Sequence, residues 1–317
     1  MKKISVYDKG GIGKSTTVSN LSAAISNIAI LASMSVLAIG CGSDNNRTKE
    51  VNNTVGEVQE LKIASGTVAA TQVMDKLEME LVGVPQTSTE LPKRYKGLTQ
   101  IGQAFSPNLE VVVSLESDLL VLDSNFKEKL DEQVKQYGIN TFYFNTTTFE
   151  NFKNSILELG KLGNKENKAK ELVEDLQSSV DEVLQKANKD NIKVAIVFGT
   201  GESYMLATDK SYVGDLLNSI GISNITDELE ADSAYVNFSM EQVLDINPDY
   251  VLRLAHGNIE ESKAGFEKEF SENPAWSSIK ASENGNIYDL DPSIFGVSAN
   301  LNVKEAITEL GNIFYGE

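Results

Sequence analysis

The stretch Val251–Asn258, VLRLAHGN, places the only histidine of the chain directly after an apolar run. Pro248-Asp249 upstream is a turn signal, so the run predicts a buried strand that ends at His256 and Gly257. A side chain that follows a strand of an open α/β sheet lies at the crevice where ligands bind. A neutral imidazole there is a suitable ligand for iron or zinc. A loop histidine without a ligand is the alternative.

The composition limits the function classes. The chain of 317 residues is long enough for two domains, each with its own core. Its 46 acidic and 28 basic residues give a formal charge of -18, which disfavours a nucleic-acid partner because phosphates require a basic surface. With one histidine and no nucleophile elbow, candidates for a general base are few. The composition therefore disfavours a hydrolase.

The lone cysteine, Cys41, excludes an internal disulfide and lies in a segment typical of an export signal. No residue from Ser15 to Ser43 is charged, and the apolar run Ile28–Ile39 is short. Leu37-Ala-Ile-Gly-Cys41 resembles a bacterial lipobox, in which the cysteine is lipidated and becomes the new N-terminus. Residues 42–57 are then a flexible tether. This predicts a protein of the cell envelope, lipid-anchored to the outer face of the plasma membrane or in the periplasm; a buried structural cysteine is the alternative.

Residues 1–26 resemble another class, the P-loop ATPases of the ParA, MinD and nitrogenase iron-protein type. The residues that suit a phosphate and its magnesium ion are Gly10, Gly11, Gly13, Lys14 and Ser15. Asp8 stands where the pattern has its first glycine, and no Walker B strand follows. Joining residues 1–5 to Asn27 restores an ordinary lipoprotein signal. We therefore interpret residues 6–26 as an insertion within a signal region of residues 1–41, and an ATPase that uses Lys14 is the alternative function.

The rest of the chain predicts an α/β fold with two similar lobes joined by a long helix. We place the N-terminal α/β lobe at residues 58–150, the bridging helix at 151–189 and the C-terminal α/β lobe at 190–317. The bridge is apolar on one face and charged on the other, with candidate breaks at Gly160 and Gly163. A helical bridge disfavours large hinge closure.

Two features of the lobes indicate function. A helix predicted to begin at Val68, just after a strand, presents the free amides of Val68 and Ala69 to a carboxylate or phosphate. An internal repeat places Glu110 eight positions before Asp118, and Glu241 eight positions before Asp249, each time followed by an apolar strand. Both glutamates then lie at helix starts, which the helix dipole alone would favour.

A set of short segments together carries a family resemblance. The segments are MDKL (74–77), LPKRYK (91–96), IGQ (101–103), SPN (106–108), SY (203–204), ATDKSY (207–212), GDL (214–216), NPD (247–249), RL (253–254), HG (256–257) and AN (299–300). Between about residues 63 and 315 the chain is similar to the IsdE-like haem-binding lipoproteins of iron-acquisition ABC importers, within the class III substrate-binding proteins. The resemblance implies two lobes joined by a long helix, with haem held between them.

The resemblance also implies residue roles. His256 is the expected axial ligand of the haem iron, and Val68 and Ala69 are expected near the propionates. Glu110 and Glu241 are expected to dock onto arginines of the permease, which works with its ATPase. A haem donor protein is a further expected partner, and the lipid anchor makes the membrane another.

This chain differs from the family at the position of the second axial ligand. The family has a methionine where this chain has Phe105, which has no lone pair to donate but can stack on a porphyrin face. Gln103, Met205 and a nearby tyrosine are the other candidates for this position. The residues expected to contact haem besides these are Tyr204, Lys210 and Tyr212. A ferric siderophore or a corrinoid is the alternative cargo, in which case His256 is incidental.

Overall fold

The computed structural model describes residues 61–187, 191–201, 203–228, 231–237 and 239–316, all within one compact unit, Gln59–Glu317. The P-loop-like segment with Lys14, the lipobox with Cys41 and the predicted tether at 42–57 lie outside the described residues.

The described strands form two main sheets. The strands are β1 (Ile63–Ser65), β2 (Leu81–Val84), β3 (Thr99–Gln100), β4 (Gly102–Gln103), β5 (Ser106–Pro107), β6 (Leu119–Asp123), β7 (Thr141–Phe144), β8 (Lys193–Thr200), β9 (Ser203–Ala207), β10 (Ser223–Asn224), β11 (Tyr235–Asn237), β12 (Tyr250–Ala255) and β13 (Ile287–Asp289). The first sheet is parallel, in the order β3-β2-β1-β6-β7. The second has the order β11-β9-β8-β12-β13, with β10 beside β8 and with β9 antiparallel to both of its neighbours.

Helices cover these sheets. They are α1 (Val68–Lys76), α2 (Leu109–Ser114), α3 (Lys127–Gln136), α4 (Phe149–Leu162), α5 (Glu166–Lys186), α6 (Tyr212–Ser219), α7 (Met240–Ile246), α8 (Ile259–Glu272), α9 (Lys280–Glu283) and α10 (Val303–Tyr315), with 3-10 turns at Lys93–Tyr95, Ser124–Phe126, Ile225–Glu228 and Pro274–Ser278. This arrangement confirms the predicted α/β class. None of the described helices combines the length and apolarity needed to cross a membrane.

The strands are buried because helices lie on both faces of a parallel sheet. Six successive residues of β8, Val194 to Gly199, are buried, as are Val251 and Leu252 of β12. A continuous apolar run of this kind is typical of a strand that is buried on both faces of its sheet.

The segment between the sheets is two helices, α4 and α5, so the predicted bridge is broken at one of its two candidate positions. The break lies between α4 and α5, where Gly163 ends α4 and Asn164 takes a positive φ of 54°. Gly160, the other candidate break, lies within α4. A Cβ atom on Gly160 would lie 2.4 Å from Cβ of Ala169 in α5. In a continuous helix these residues would be about 13 Å apart, so their contact requires the chain to turn between them.

Direct contacts join the two halves of the unit. Phe149 N, at the start of α4, donates to Asp215 Oδ2 of α6 at 2.7 Å. Ala299 N, in the segment after β13, donates to Thr146 O, in the segment after β7, at 2.8 Å. Both segments leave the carboxyl ends of parallel strands. The segments that follow β7 and β13 are therefore in contact with each other.

Candidate functional site

His256 directly follows β12 at the carboxyl edge of the second sheet. Its backbone N donates to Gly199 O at 2.9 Å, and Ser262 Oγ donates to its carbonyl at 3.0 Å. These bonds fix the backbone while the side chain is exposed. Neither ring nitrogen has a hydrogen-bond partner among the described residues, so both are available to a ligand.

An aromatic platform, formed by Phe198 and Tyr235, supports the imidazole. The His256 ring stacks on Phe198 with centroids 5.6 Å apart and planes at 30°. Phe198 in turn packs on Tyr235 with centroids 4.2 Å apart. Phe198 is paired in the sheet with Leu254, two residues before His256, so their side chains lie on one face. The platform thus places a buried aromatic ring beneath an exposed nitrogen donor.

Tyr235 does not provide an anionic ligand near neutral pH. Burial raises the pKa of its hydroxyl to about 12, so the phenol stays protonated. It serves the site as an apolar wall. Neither platform residue could be predicted from the sequence, because their contact depends on the pairing of β11 with β9 and of β9 with β8.

Phe105 lies at the tip of the β4–β5 hairpin at the edge of the first lobe. Its side chain is 48% exposed, its ring is 6.4 Å from that of Phe126, and Lys129 Nζ lies 5.4 Å from its centroid. Lys129 Nζ also donates to Phe105 O at 3.0 Å. The hairpin depends on Gly102, where φ is +98° and a Cβ atom would lie 2.9 Å from Ser106 O. Gln103 is exposed on the same hairpin.

The start of α1 has the properties of an anion site. No side chain caps this helix, and its first turn contains no acidic residue. The Ser65 hydroxyl donates to Thr67 O at 3.1 Å and accepts from Thr71 Oγ1 at 2.8 Å, so its oxygen is already engaged by another donor. The amides of Val68 and Ala69, both half-buried, are therefore left for an external acceptor.

Two other residues that were predicted to contact the ligand, Tyr204 and Tyr212, lie away from the exposed face that carries His256. Tyr204 is adjacent in β9 to Met205, which pairs with Phe198, and its ring packs on Phe266 at 5.6 Å. It therefore faces the side of the sheet opposite to His256. Tyr212 is 0% exposed within the core. Because a ligand at the surface cannot reach it, we leave Tyr212 out of the proposed site.

Lys210 is exposed and engaged within its own lobe. Its ammonium pairs with Asp232 Oδ1 at 3.1 Å and also donates to Ala231 O. An anion would have to compete with this carboxylate.

Across the described ranges, no group of three or more His, Cys, Asp or Glu side chains is arranged to hold a metal ion.

The internal repeat has the same geometry in both lobes. Lys62 N donates to Asp118 Oδ2 at 2.9 Å, and Lys193 N donates to Asp249 Oδ2 at 3.1 Å. In the reverse direction, the amide of each aspartate donates to the carbonyl of its lysine at 2.8 Å. Each pair joins the first strand of a lobe to the strand beside it. The sequence repeat is thus also a repeat of hydrogen bonds.

Glu110 and Glu241 occupy the same position of this repeat. Both are exposed in the first turn of a short helix, α2 and α7, whose N-cap side chain accepts a hydrogen bond from the helix. Neither carboxylate forms an ion pair with another described residue. Two unpaired acidic groups therefore lie at equivalent places on the two lobes.

Comparisons with known proteins agree with this architecture. The profile of the family described as periplasmic binding protein matches residues 63–294. The high-affinity heme uptake system protein IsdE of Staphylococcus aureus is 38% identical over 258 residues, which are 81% of this chain and 88% of that protein.

Two crystal structures share the fold. The structure of S. aureus IsdE complexed with heme has a TM-score of 0.70 and 37% identity, and the match covers 81% of this chain and 99% of that one. An ABC transporter substrate-binding protein from Listeria monocytogenes has a TM-score of 0.74 and 32% identity, with 82% of this chain and 100% of that one covered.

A second profile matches the beginning of the chain. It describes the 4Fe-4S iron sulfur cluster binding proteins of the NifH/frxC family and matches residues 2–85. This is a likeness that supports the P-loop resemblance of residues 1–26. Its last part overlaps the first profile at residues 63–85, where the structure has β1, α1 and β2 of the first sheet.

Proposed function

Because the chain belongs to the periplasmic binding protein family, we propose that it is a carrier that captures haem and delivers it to an ABC permease for iron uptake. The role is one of binding and not of catalysis. The 38% identity to IsdE over most of both chains supports haem as the cargo. The alternative cargo is a ferric siderophore or a corrinoid.

The observation that carries this proposal is the environment of His256. Its ring nitrogens have no partner among the described residues, and the ring stacks on Phe198 at the carboxyl edge of a sheet. A neutral imidazole binds haem iron through a nitrogen lone pair, while the porphyrin needs apolar surface around it. Tyr235, which is half-buried, can offer such a surface, while Phe198, at 5% exposure, supports the imidazole from beneath.

Contacts from the first lobe complete the proposed site. The propionates would accept hydrogen bonds from the amides of Val68 and Ala69 at the start of α1. Phe105 would stack on the face or edge of the macrocycle, since it is exposed and apolar. Gln103 lies next to it on the hairpin. In this arrangement the chain supplies one strong iron ligand, and the iron is five-coordinate or completed by water.

Delivery requires contacts to the membrane subunits. Glu110 and Glu241 are exposed, unpaired among the described residues and equivalent in the two lobes. We assign to them the docking of the two lobes onto arginines of the permease. The protein would act outside the plasma membrane, held there by a lipid on Cys41.

A haem titration of the full-length chain tests the cargo. We expect a Soret band that shifts from that of free haem and saturates at one equivalent. Ferric siderophore and cobinamide, added separately, should leave tryptophan fluorescence unchanged and should not displace haem. Saturable binding of either compound without a haem-dependent Soret shift would replace haem as the cargo.

A further inference from the structure

The repeated unit carries a second matched feature besides its glutamates. Among the described residues, the large apolar side chains that are most exposed include Val113, at 50%, and Leu244, at 38%. Val113 is the third residue after Glu110, and Leu244 is the third residue after Glu241. The two exposed apolar side chains therefore occupy the same position in the two lobes.

The surrounding residues match at further positions, so this match is one of structure and not only of spacing. Val112 and Val243, directly before the exposed residues, are both buried. Three positions after each exposed residue, Glu116 and Asn247 both have φ of 51°. The same local fold thus turns one apolar residue inward and the next one outward in each lobe.

Each exposed apolar residue lies beside its glutamate. Residues i and i+3 of a helix are neighbours on one face, so Glu110 with Val113 and Glu241 with Leu244 form two acidic-apolar pairs. We call these pairs the docking patches. An exposed valine or leucine side chain forms no favourable interaction with water. Burial of either side chain against a partner would therefore stabilise a complex.

We propose that the docking patches bind the permease dimer, and that Val113 and Leu244 each fill an apolar hollow beside the cation that pairs with the glutamate. This inference rests on the proposed delivery to an ABC permease and adds the apolar half of the contact. A partner made of two related subunits can present such a cation and hollow twice. That repetition matches the two equivalent patches of the carrier.

The charged and apolar halves of each patch make different contributions. Exposed ion pairs weaken with added salt, because counterions screen them, whereas burial of apolar surface does not. The apolar contact would therefore maintain docking at physiological ionic strength, where the glutamates alone contribute little.

The test measures binding of the full-length chain, without haem, to its permease and ATPase in lipid nanodiscs. The test variant is Val113→Gln with Leu244→Gln, and the matched control is Tyr137→Gln with Leu184→Gln, whose residues are also exposed but lie outside the repeat. We expect the test variant to bind about tenfold or more weakly at 0.15 M salt and the control to bind like the wild type.

Equal affinity of the test variant and the wild type would overturn the inference, as would equal losses in both variants. Circular dichroism and thermal melting confirm that each variant is folded. Because docking is measured without haem, a failure of haem binding in a separate titration would leave this result standing. If the wild type does not bind the permease at all, the proposed delivery fails, and this inference fails with it.

Discussion

At the scale of single residues, the position of His256 at a strand end could be predicted from the sequence. The aromatic platform beneath its ring could not. One histidine after an apolar run places the imidazole at a strand end, and the structure has it there, after β12. Phe198 and Tyr235 come from two other strands. The contact of Phe198 with His256 and that of Tyr235 with Phe198 depend on which strands are neighbours and in what register, and one strand's sequence does not contain that information.

Phe105→Met tests the first-lobe side of the proposed site. A methionine at this exposed hairpin position supplies a thioether, so ferric haem should change toward a six-coordinate, low-spin spectrum. The measurement is the absorption spectrum of the haem-loaded variant. Phe105→Leu is the control, because it changes the side chain without adding a ligand, and it should keep the wild-type spectrum. Identical spectra for the methionine and leucine variants would mean that residue 105 does not face the iron.

At the scale of elements, the sequence predicts the local structure well where the same residue spacing occurs twice. The repeat around Glu110 and Glu241 is visible in the sequence, and the structure has the same hydrogen bonds in both copies. The strand β9, Ser203–Ala207, was missed because it is antiparallel in a mostly parallel sheet. In the sequence, this segment was interpreted as a contact with the ligand. The helix α8 was also missed, since half of its residues are charged.

Glu110→Lys combined with Glu241→Lys should separate capture from delivery. Both carboxylates are exposed, so reversal of their charge should leave the Soret band and the melting temperature close to those of the wild type. Transfer of haem into permease-containing vesicles should stop, because each lobe then repels the cation it docks on. Glu158→Lys with Glu174→Lys, which adds the same charge elsewhere, should keep transfer. Normal transfer by the first variant would remove the glutamates from docking.

Gly160→Ala tests the contact between α4 and α5. The new Cβ atom would lie 2.4 Å from Cβ of Ala169, so the helices must move apart. Overpacking of this kind costs about 1–3 kcal/mol, and we expect a fall in the melting temperature of about 2–12 °C. The measurement is thermal unfolding by circular dichroism.

Ala169→Gly provides the matched partner for this prediction. Removal of the Ala169 methyl opens space for a methyl at residue 160, so the double variant should be destabilised by less than the sum of the two single variants. Strictly additive effects would contradict a direct contact between the two positions.

At the scale of the whole molecule, the α/β class follows from short apolar strands that alternate with amphipathic helices. Parallel strands need helical crossovers, and these cover both faces of each sheet. The break between α4 and α5 was harder to predict. Both Gly160 and Gly163 were candidates, and only the contact of Gly160 with Ala169 shows that the first is used for packing and the second for the turn.

Removal of the N-terminal segment is a prediction that concerns the chain as a whole. If residues 1–40 are a signal, the protein extracted from membranes should begin at a lipid-modified Cys41, and its intact mass should lack the P-loop-like segment. Cys41→Ala should keep the precursor mass and abolish lipid labelling. A membrane-extracted protein that retains Lys14 and binds an ATP analogue would favour the ATPase alternative instead.

The central claim is that His256 binds the iron of a haem held at the edge of the second sheet. The most direct test is the absorption spectrum of His256→Ala with one equivalent of ferric haem, beside that of the wild type and with both proteins shown to be folded by circular dichroism. Because the side chain is exposed, the fold should be kept. We predict that the wild-type Soret band is lost or strongly shifted in the variant and that added imidazole restores it in part. An unchanged Soret band in His256→Ala would contradict the claim.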